Sequence, residues 1–420
     1  MKTRIAFLIS DQHLIPHGGI GQFAKGFCEM AARNNCVVDL ILDKAPRHQF
    51  FQPNGLTVIP DAPMSMKDHL AAFAFSDSYC LERSLNFRNA MMKALQSNLY
   101  DMIVINTPDA LLGVYPLDLA QHIPMVFYTH NENLVFRNEA FKGVFNATFD
   151  AFFVAAMRAE HLIIGTQTDR NKAELKAGQH NAVTLPMPMP ERGLLNRYEG
   201  EKSGLLFIGR WEERKNPSEF IRVAAATKLP VKVMTAKTSV KKWQDAFDRI
   251  GVEHDVRGNI TGREKVDFIR SSKVFYMPSK SESYGFSLLE AAGHCHCVLL
   301  QDYGWKDNWD TSLYHATKAL HAPAIISSLY DQDVPPDNLA KVQAIDAGCW
   351  SPWASTMANF SSRKSDSKAA KINKWDKGYV SDFIKTLNRI ASTEDIISVL
   401  NNRHKFDISY TADATWMKAK

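Results

Sequence analysis

Cysteine is scarce. Six residues, Cys28, Cys36, Cys80, Cys295, Cys297 and Cys349, are scattered along 420 positions, too thinly for a disulfide scaffold. The lack of any Cys-x-x-Cys pair removes the usual zinc signature, and a reducing cytoplasm is the expected compartment. No run of about 18 apolar residues passes without a charge, so no membrane-spanning helix is expected. The basic start Lys2-Thr3-Arg4 leads into an apolar run, Ile5 to Ile9, that ends at Asp11 without a cleavage site. It therefore reads as a first strand and not as an export signal. Internal repeats and low-complexity tracts are missing, as are the complete Gly-x-Gly-x-x-Gly dinucleotide fingerprint and the phosphate loop of a kinase. No Asp-x-Asp motif stands out to hold a divalent ion on a diphosphate. A strong charge of one sign is absent too: 50 basic against 45 acidic residues leave +5, which admits a polyanionic partner without requiring one.

What is present is a chain too long for one hydrophobic core, with 45% hydrophobic and 23% charged residues, a composition that excludes disorder and implies two globular domains. Short apolar runs recur between stretches of helical spacing: 5–9, 37–42, 102–106, 125–128 and 161–164, then 204–209, 231–234, 254–258, 274–277 and 297–300. Such alternation predicts two α/β domains, each a doubly wound parallel sheet of Rossmann type. The stretch 65–99 supplies helical material. Pro186, Pro188 and Pro190 cannot continue a helix or a central strand, so the hinge is placed there. The expected domains are 1–188 and 189–395, with 396–420 packing back on the first. A basic stretch from Arg363 through Lys364, Lys368, Lys371 and Lys374 to Lys377 reads as a solvated face.

Four segments carry candidate chemistry, each expected just beyond the carboxyl end of a strand. Ser281-Glu282-Ser283-Tyr284-Gly285-Phe286-Ser287-Leu288-Leu289-Glu290 opens a helix whose first amides and positive dipole end suit a diphosphate. Gly285 lets the backbone approach closely. Glu282 lies on the loop facing a sugar, and Glu290 accepts from two ribose hydroxyls with both oxygens. The pair also fits two ordinary surface acids. In Gly209-Arg210-Trp211-Glu212-Glu213-Arg214-Lys215, Arg210 and Lys215 are placed to neutralise a departing diphosphate, or else to be cations around a helix cap. Gly18 and Gly19 after the first strand bring amides towards phosphate or form a plain turn. His130 in Tyr128-Thr129-His130-Asn131-Glu132 is either a site residue or a structural histidine, with Asn131 and Glu132 as neighbours that hold an acceptor. His294-Cys295-His296-Cys297 tempts a metal reading, but adjacent residues of an extended segment point to opposite faces, and no metal is expected.

On Glu282, Glu290 and the Gly285-Phe286-Ser287 turn, the sequence resembles the retaining glycosyltransferases of family four. The Gly209-Arg210 to Lys215 segment and Gly18-Gly19 extend the likeness. The resemblance implies the GT-B fold, two Rossmann-like domains facing each other across a cleft, and retention of anomeric configuration. It further implies donor contacts from Gly18 and Gly19, leaving-group stabilisation by Arg210 and Lys215, and a histidine, His130, that reaches the transferred sugar. The donor is expected to be a UDP-sugar, used as co-substrate without a further cofactor. On Tyr128 to His130, Thr168 to Lys172 and Ile208 to Arg210, the chain is also distantly similar to the phage DNA alpha-glucosyltransferases. Their aspartate after the histidine is Asn131 here. That kinship implies double-stranded DNA as partner, a hydroxymethylated pyrimidine as acceptor, phosphate contacts from Arg137, Lys142, Arg170, Lys172 and Lys176, and a location in host cytoplasm. A lipopolysaccharide or other glycan acceptor is the alternative, and a non-catalytic nucleotide-sugar or DNA-binding protein a third reading.

Overall fold

The computed structural model describes residues 2–15, 18–46, 51–61, 78–117, 119–130, 161–173 and 181–361. These divide into two compact units. One holds the described residues of Met1–Ile15, Cys28–Pro186 and Trp350–Lys420; the other holds those of Pro16–Phe27 and Met187–Cys349. The basic stretch beyond Arg363 and the 396–420 segment lie outside the described residues.

The first unit runs β1 (Thr3–Leu8), α1 (Gly19–Arg33, grouped with the second unit up to Phe27), β2 (Cys36–Ile41), β3 (Thr57–Val58), α2 (Ser78–Ser97), β4 (Met102–Ile105), α3 (Pro108–Val114), β5 (Met125–Tyr128), β6 (Leu162–Thr166), α4 (Asp169–Ala173) and β7 (Ala182–Thr184). All neighbours pair in parallel, in the order β3-β2-β1-β4-β5-β6-β7. Central strands such as Met-Ile-Val-Ile of β4 and Met-Val-Phe-Tyr of β5 are buried at every position. A parallel sheet covered on both faces requires such unbroken apolar runs. A carboxylate intrudes: Asp39 of β2 is fully buried. Arg4 (3.1 Å), the Tyr100 hydroxyl (2.8 Å) and the Leu56 amide (2.7 Å) satisfy it.

The second unit runs β8 (Leu205–Ile208), α5 (Pro217–Thr227), β9 (Val231–Thr235), α6 (Val240–Ile250), β10 (His254–Gly258), α7 (Gly262–Arg270), β11 (Val274–Met277), α8 (Phe286–Ala292), β12 (His296–Leu300), β13 (His315–Thr317), α9 (Ala322–Tyr330) and α10 (Asp337–Gly348). Its sheet is again all parallel, in the order β10-β9-β8-β11-β12-β13. A last helix, α11 (Trp350–Ser361), belongs to the first unit. There Trp353 is fully buried, stacks on Tyr128 with ring centroids 5.6 Å apart, and donates to the Pro186 carbonyl at 3.4 Å. The Tyr128 hydroxyl donates to the neighbouring Leu185 carbonyl at 2.8 Å.

The predicted strands are all present, with bounds that agree to within a residue or two. Three further strands, β3, β7 and β13, are only two or three residues long. Pieces so short show no alternation to read; they exist because a longer neighbour offers hydrogen bonds.

The core of the second unit centres on Trp243 of α6, fully buried among Phe207 (4.8 Å), Phe247 (5.6 Å), Phe220 (5.9 Å) and Trp211 (4.7 Å). Trp243→Ala is expected to cost about 4 kcal/mol, the usual scale for emptying an aromatic site. Chemical unfolding of the second unit measures it, and a loss well under 1 kcal/mol would deny these rings their central place.

Candidate active site

In a doubly wound sheet, ligands gather beyond the carboxyl ends of the two strands where the winding direction changes. In the second unit those strands are β8 and β11, hydrogen-bonded neighbours although 69 residues separate Leu205 from Val274. The segment with Arg210 and Lys215 follows β8, and the segment with Glu282 follows β11. Topology alone therefore brings together the two motifs read from the sequence.

The contact is direct. Lys215 Nζ donates to Glu282 Oε1 at 2.5 Å, both side chains being largely buried. Asn216, with φ of 53°, ends the 3-10 turn that presents Lys215 and begins α5; asparagine tolerates this left-handed backbone. Arg210 is placed differently from expectation: its side chain is 63% exposed and pairs with Glu212 at 3.0 Å. Arg214, passed over in the sequence, stands beside Glu282 instead. Its guanidinium lies 3.6 Å from Glu282 Oε2 and donates to the Ser281 carbonyl at 3.3 Å, while its own carbonyl accepts from the Lys280 amide at 2.8 Å. A run Glu-Arg-Lys gives two adjacent cations, and the sequence does not tell which of them turns inward.

The turn after Glu282 is set by Gly285, whose φ of 83° is strained for any residue with a Cβ. No hydrogen bond is recorded from the amides of Tyr284, Gly285, Phe286 or Ser287 to any described residue. Consecutive unpaired amides around a left-handed residue form a concavity suited to an anion. The Tyr284 ring is held in place, its hydroxyl donating to the Met187 carbonyl at 3.2 Å and its centroid 5.2 Å from that of Phe286 in an edge-on pair. Ser287 Oγ sits 3.8 Å from the Met277 sulfur.

Glu290, on α8, is buried and is not an uncommitted acceptor: Oε1 already takes a hydrogen bond from Lys265 Nζ of α7 at 2.5 Å. The expected contact with ribose would add to this bond, since each carboxylate oxygen can accept more than one. Burial pushes the Glu290 carboxyl above its ordinary range; Lys265 pulls it back in part, Glu191 opposes, and Lys25 assists. Lys25 and Glu191 are themselves paired at 2.8 Å. Lys265 was invisible in the sequence because one lysine on a helix carries no mark of burial, although its neighbours Val266, Phe268 and Ile269 show which face points inward.

In the first unit, His130 follows β5 and is partly buried. Asn106 donates its amide to the Leu8 carbonyl at 2.9 Å, which turns its oxygen towards His130 Nε2 at 2.8 Å. Burial, then His13, hold this imidazole well below its usual range, so it is neutral, with Nε2 as donor and Nδ1 as acceptor. In the same unit, Arg83 bridges Asp43 (3.3 Å) and Asp109 (2.9 Å), and Asp43 accepts from the Asp11 amide at 2.9 Å. Arg170 is half-buried and Lys172 exposed on α4. Gly18 precedes α1, its carbonyl accepting from the Gln22 amide at 2.9 Å. A Cβ at Gly19 would meet nothing within 4 Å, so packing does not demand glycine there. Asn131, Glu132, Arg137, Lys142 and Lys176 lie outside the described residues.

Among the described residues no group of three or more metal-binding side chains converges. The His294 and His296 rings donate to the Leu194 (2.8 Å) and Gln332 (3.2 Å) carbonyls, and the Cys295 thiol to that of Ser272 (3.4 Å). One Asp-x-Asp spacing does occur, Asp331-Gln332-Asp333, exposed after α9, where Asp333 faces Lys273 at 3.8 Å. Among the described residues no helix is long and apolar enough to cross a membrane.

No protein-family model matches the sequence, and no curated protein matches it. Solved structures do. Sucrose-phosphate synthase from Thermosynechococcus elongatus superposes with a TM-score of 0.61 at 13% identity, over 86% of this chain and 98% of that one. HepE of Anabaena, in complex with UDP-glucose, gives 0.54 at 15% identity over 86% and 99%. WaaG, a glycosyltransferase involved in lipopolysaccharide biosynthesis, gives 0.52 at 14% over 86% and 100%. The fold is GT-B. Identities this low speak for architecture alone, so the chemistry rests on the residues above.

The Lys265–Glu290 pair has a measurable signature. Lys265→Met strands a buried carboxylate, expected to cost about 3 kcal/mol at pH 8. Lys265 holds the Glu290 carboxyl down against the effect of burial, so its loss raises the native pKa further and the variant takes up the proton at higher pH than the parent does. The deficit should therefore shrink as pH falls from 8 towards 5. Chemical unfolding of both proteins across this range measures it, and a gap independent of pH would show that Glu290 does not titrate there.

Proposed function

We propose that the protein transfers a sugar from a nucleoside diphosphate, UDP in the first instance, to an acceptor hydroxyl with retention of configuration. One observation carries this reading: Lys215, Arg214 and Glu282 meet beside four consecutive amides, Tyr284 to Ser287, that have no partner among the described residues, in a single unit. Cations and amides aimed at one place suit a diphosphate whose charge grows as it leaves. In the proposed step the bond between the anomeric carbon and the diphosphate oxygen breaks, its electron pair going to the phosphate. The acceptor oxygen bonds to the same face of the sugar, and its proton passes to the departing phosphate. Lys215 and Arg214 balance the leaving group, with Arg210 at the mouth of the loop. Glu282 is assigned to the sugar hydroxyls, Glu290 and Lys265 to the ribose, Gly18 and Gly19 to the donor, and His130 to the transferred sugar. Neither a metal nor another cofactor enters the step. Neighbours solved with UDP and UDP-glucose support the choice of nucleotide.

For the acceptor, our first reading is a hydroxymethylated pyrimidine of double-stranded DNA, as in phage modification, with Arg137, Arg170 and Lys172 towards phosphates and Asn131 and Glu132 near the base. The cytoplasm of the host is then the place of action. A glycan is the second reading. What favours it is the buried carboxylate trio Asp11, Asp43 and Asp109 at the strand ends of the first unit, which suits neutral hydroxyls better than phosphates.

Donor hydrolysis and transfer with a panel of sugar nucleotides, with and without hydroxymethylated duplex DNA or oligosaccharides, separates these readings. Turnover stimulated by DNA supports the first, and turnover with oligosaccharides alone the second. No turnover with any donor would remove the enzyme reading and leave a binding protein. Lys215→Ala is expected to lower kcat roughly 100-fold, whereas Glu290→Ala is expected mainly to raise the donor KM; unchanged kinetics in both would withdraw the site assignment.

A further inference from the structure

The segment joining β12 to β13 is rich in tryptophan, and the transfer step leaves it without a role. Its 3-10 helix, Gly304–Asn308, and the residue after it carry Trp305, Asn308 and Trp309. Both indoles are buried. All three side chains donate to backbone carbonyls of the glutamate turn: Trp305 Nε1 to Ser279 (2.8 Å), Asn308 Nδ2 to Ser283 (3.3 Å) and Trp309 Nε1 to Tyr284 (2.7 Å). Packing alone would be served by phenylalanine or leucine. Three donors spent on one turn specify its orientation.

The direction of those bonds matters because in a trans peptide the carbonyl and the following N–H point opposite ways. Holding the carbonyls of Ser283 and Tyr284 on the tryptophan side turns the amides of Tyr284 and Gly285 to the other side. The Ser279 peptide shows the rule at work: its carbonyl is held by Trp305, and the Lys280 amide points away to the Arg214 carbonyl at 2.8 Å, on the loop that presents Lys215. The indoles also close the side chain's side of Gly285, where a Cβ would come 3.3 Å from Trp305 and 3.4 Å from Trp309. The turn is thus fastened along one face, and its amides are left on the opposite one.

We propose that Trp305, Asn308 and Trp309 are positioning residues of the donor site, holding the turn from Ser279 to Gly285 so that its amides and Glu282 meet the diphosphate. The inference rests on the proposed function and goes one step beyond it, because it makes nucleotide affinity depend on side chains that the nucleotide does not touch.

The experiment is calorimetric titration of the full chain with UDP, GDP, ADP, CDP and dTDP, for the parent, Trp309→Phe and Asn308→Ala, together with thermal unfolding of each without nucleotide. Phenylalanine keeps a ring against Tyr284 and loses the N–H; Asn308 is half-buried, so alanine there spares the core. The nucleotide that the parent binds best should bind about tenfold more weakly to either variant, the effect of losing one orienting hydrogen bond, while Asn308→Ala unfolds near the parent's temperature. Should Trp309→Phe fail to fold, Asn308→Ala decides. Parent and variants binding equally, with only the unfolding temperature lowered, would reduce the segment to packing and overturn the inference. A parent that binds none of the five nucleotides would instead bring down the donor reading itself, and the positioning role with it.

Discussion

A carboxylate carried beneath a packed surface loses its hydration, and it stays charged only if a cation follows it inside. The second unit meets this demand twice within nine residues, with Lys215 for Glu282 and Lys265 for Glu290. Each lysine comes from a different element, one from the loop after β8 and one from α7, so the two pairs also lash the glutamate segment to its neighbours. An arriving diphosphate would find positive charge already oriented, its reorganisation completed during folding. Under the proposed function the same pairing sets a condition: Lys215 would share itself between Glu282 and the phosphate, which makes Glu282 a partner in charge balance.

Much of the architecture could be read from the chain. Apolar runs of strand length separated by helical stretches imply two parallel sheets, and the three prolines at Pro186, Pro188 and Pro190 fall in the extended stretch where the chain leaves the first unit. The adjacency of the β8 and β11 loops was not legible, since it follows from the strand order, which alternation alone does not give. What also escaped was anything decided by the direction of a side chain in space. Arg214 and Arg210 look alike in sequence, yet one lies against Glu282 and the other extends into water. Lys265 is one lysine among many until α7 packs on α8. The tryptophans after β12 read as an anomaly because their purpose lies in carbonyls some 25 residues earlier.

The first unit solves a similar problem with different means. Its strand ends hold two aspartates on one buried arginine, and a neutral histidine is oriented by an asparagine whose own amide is tied to the Leu8 carbonyl. Neutral rings and shared charges tolerate burial better than isolated ions. Both sheets therefore place their polar groups at the carboxyl edge and keep their middles apolar, as the doubly wound plan requires.

Trp353 has a consequence of another kind. Its ring fills the place beside Tyr128, and its indole reaches the Pro186 carbonyl, yet it is synthesised only after every residue of the second unit. During translation the first sheet must emerge and wait with an unfilled seat against Tyr128 while some 160 further residues leave the ribosome. The N-terminal half is thus finished last, and a fragment ending at the hinge would lack a piece of its own interior.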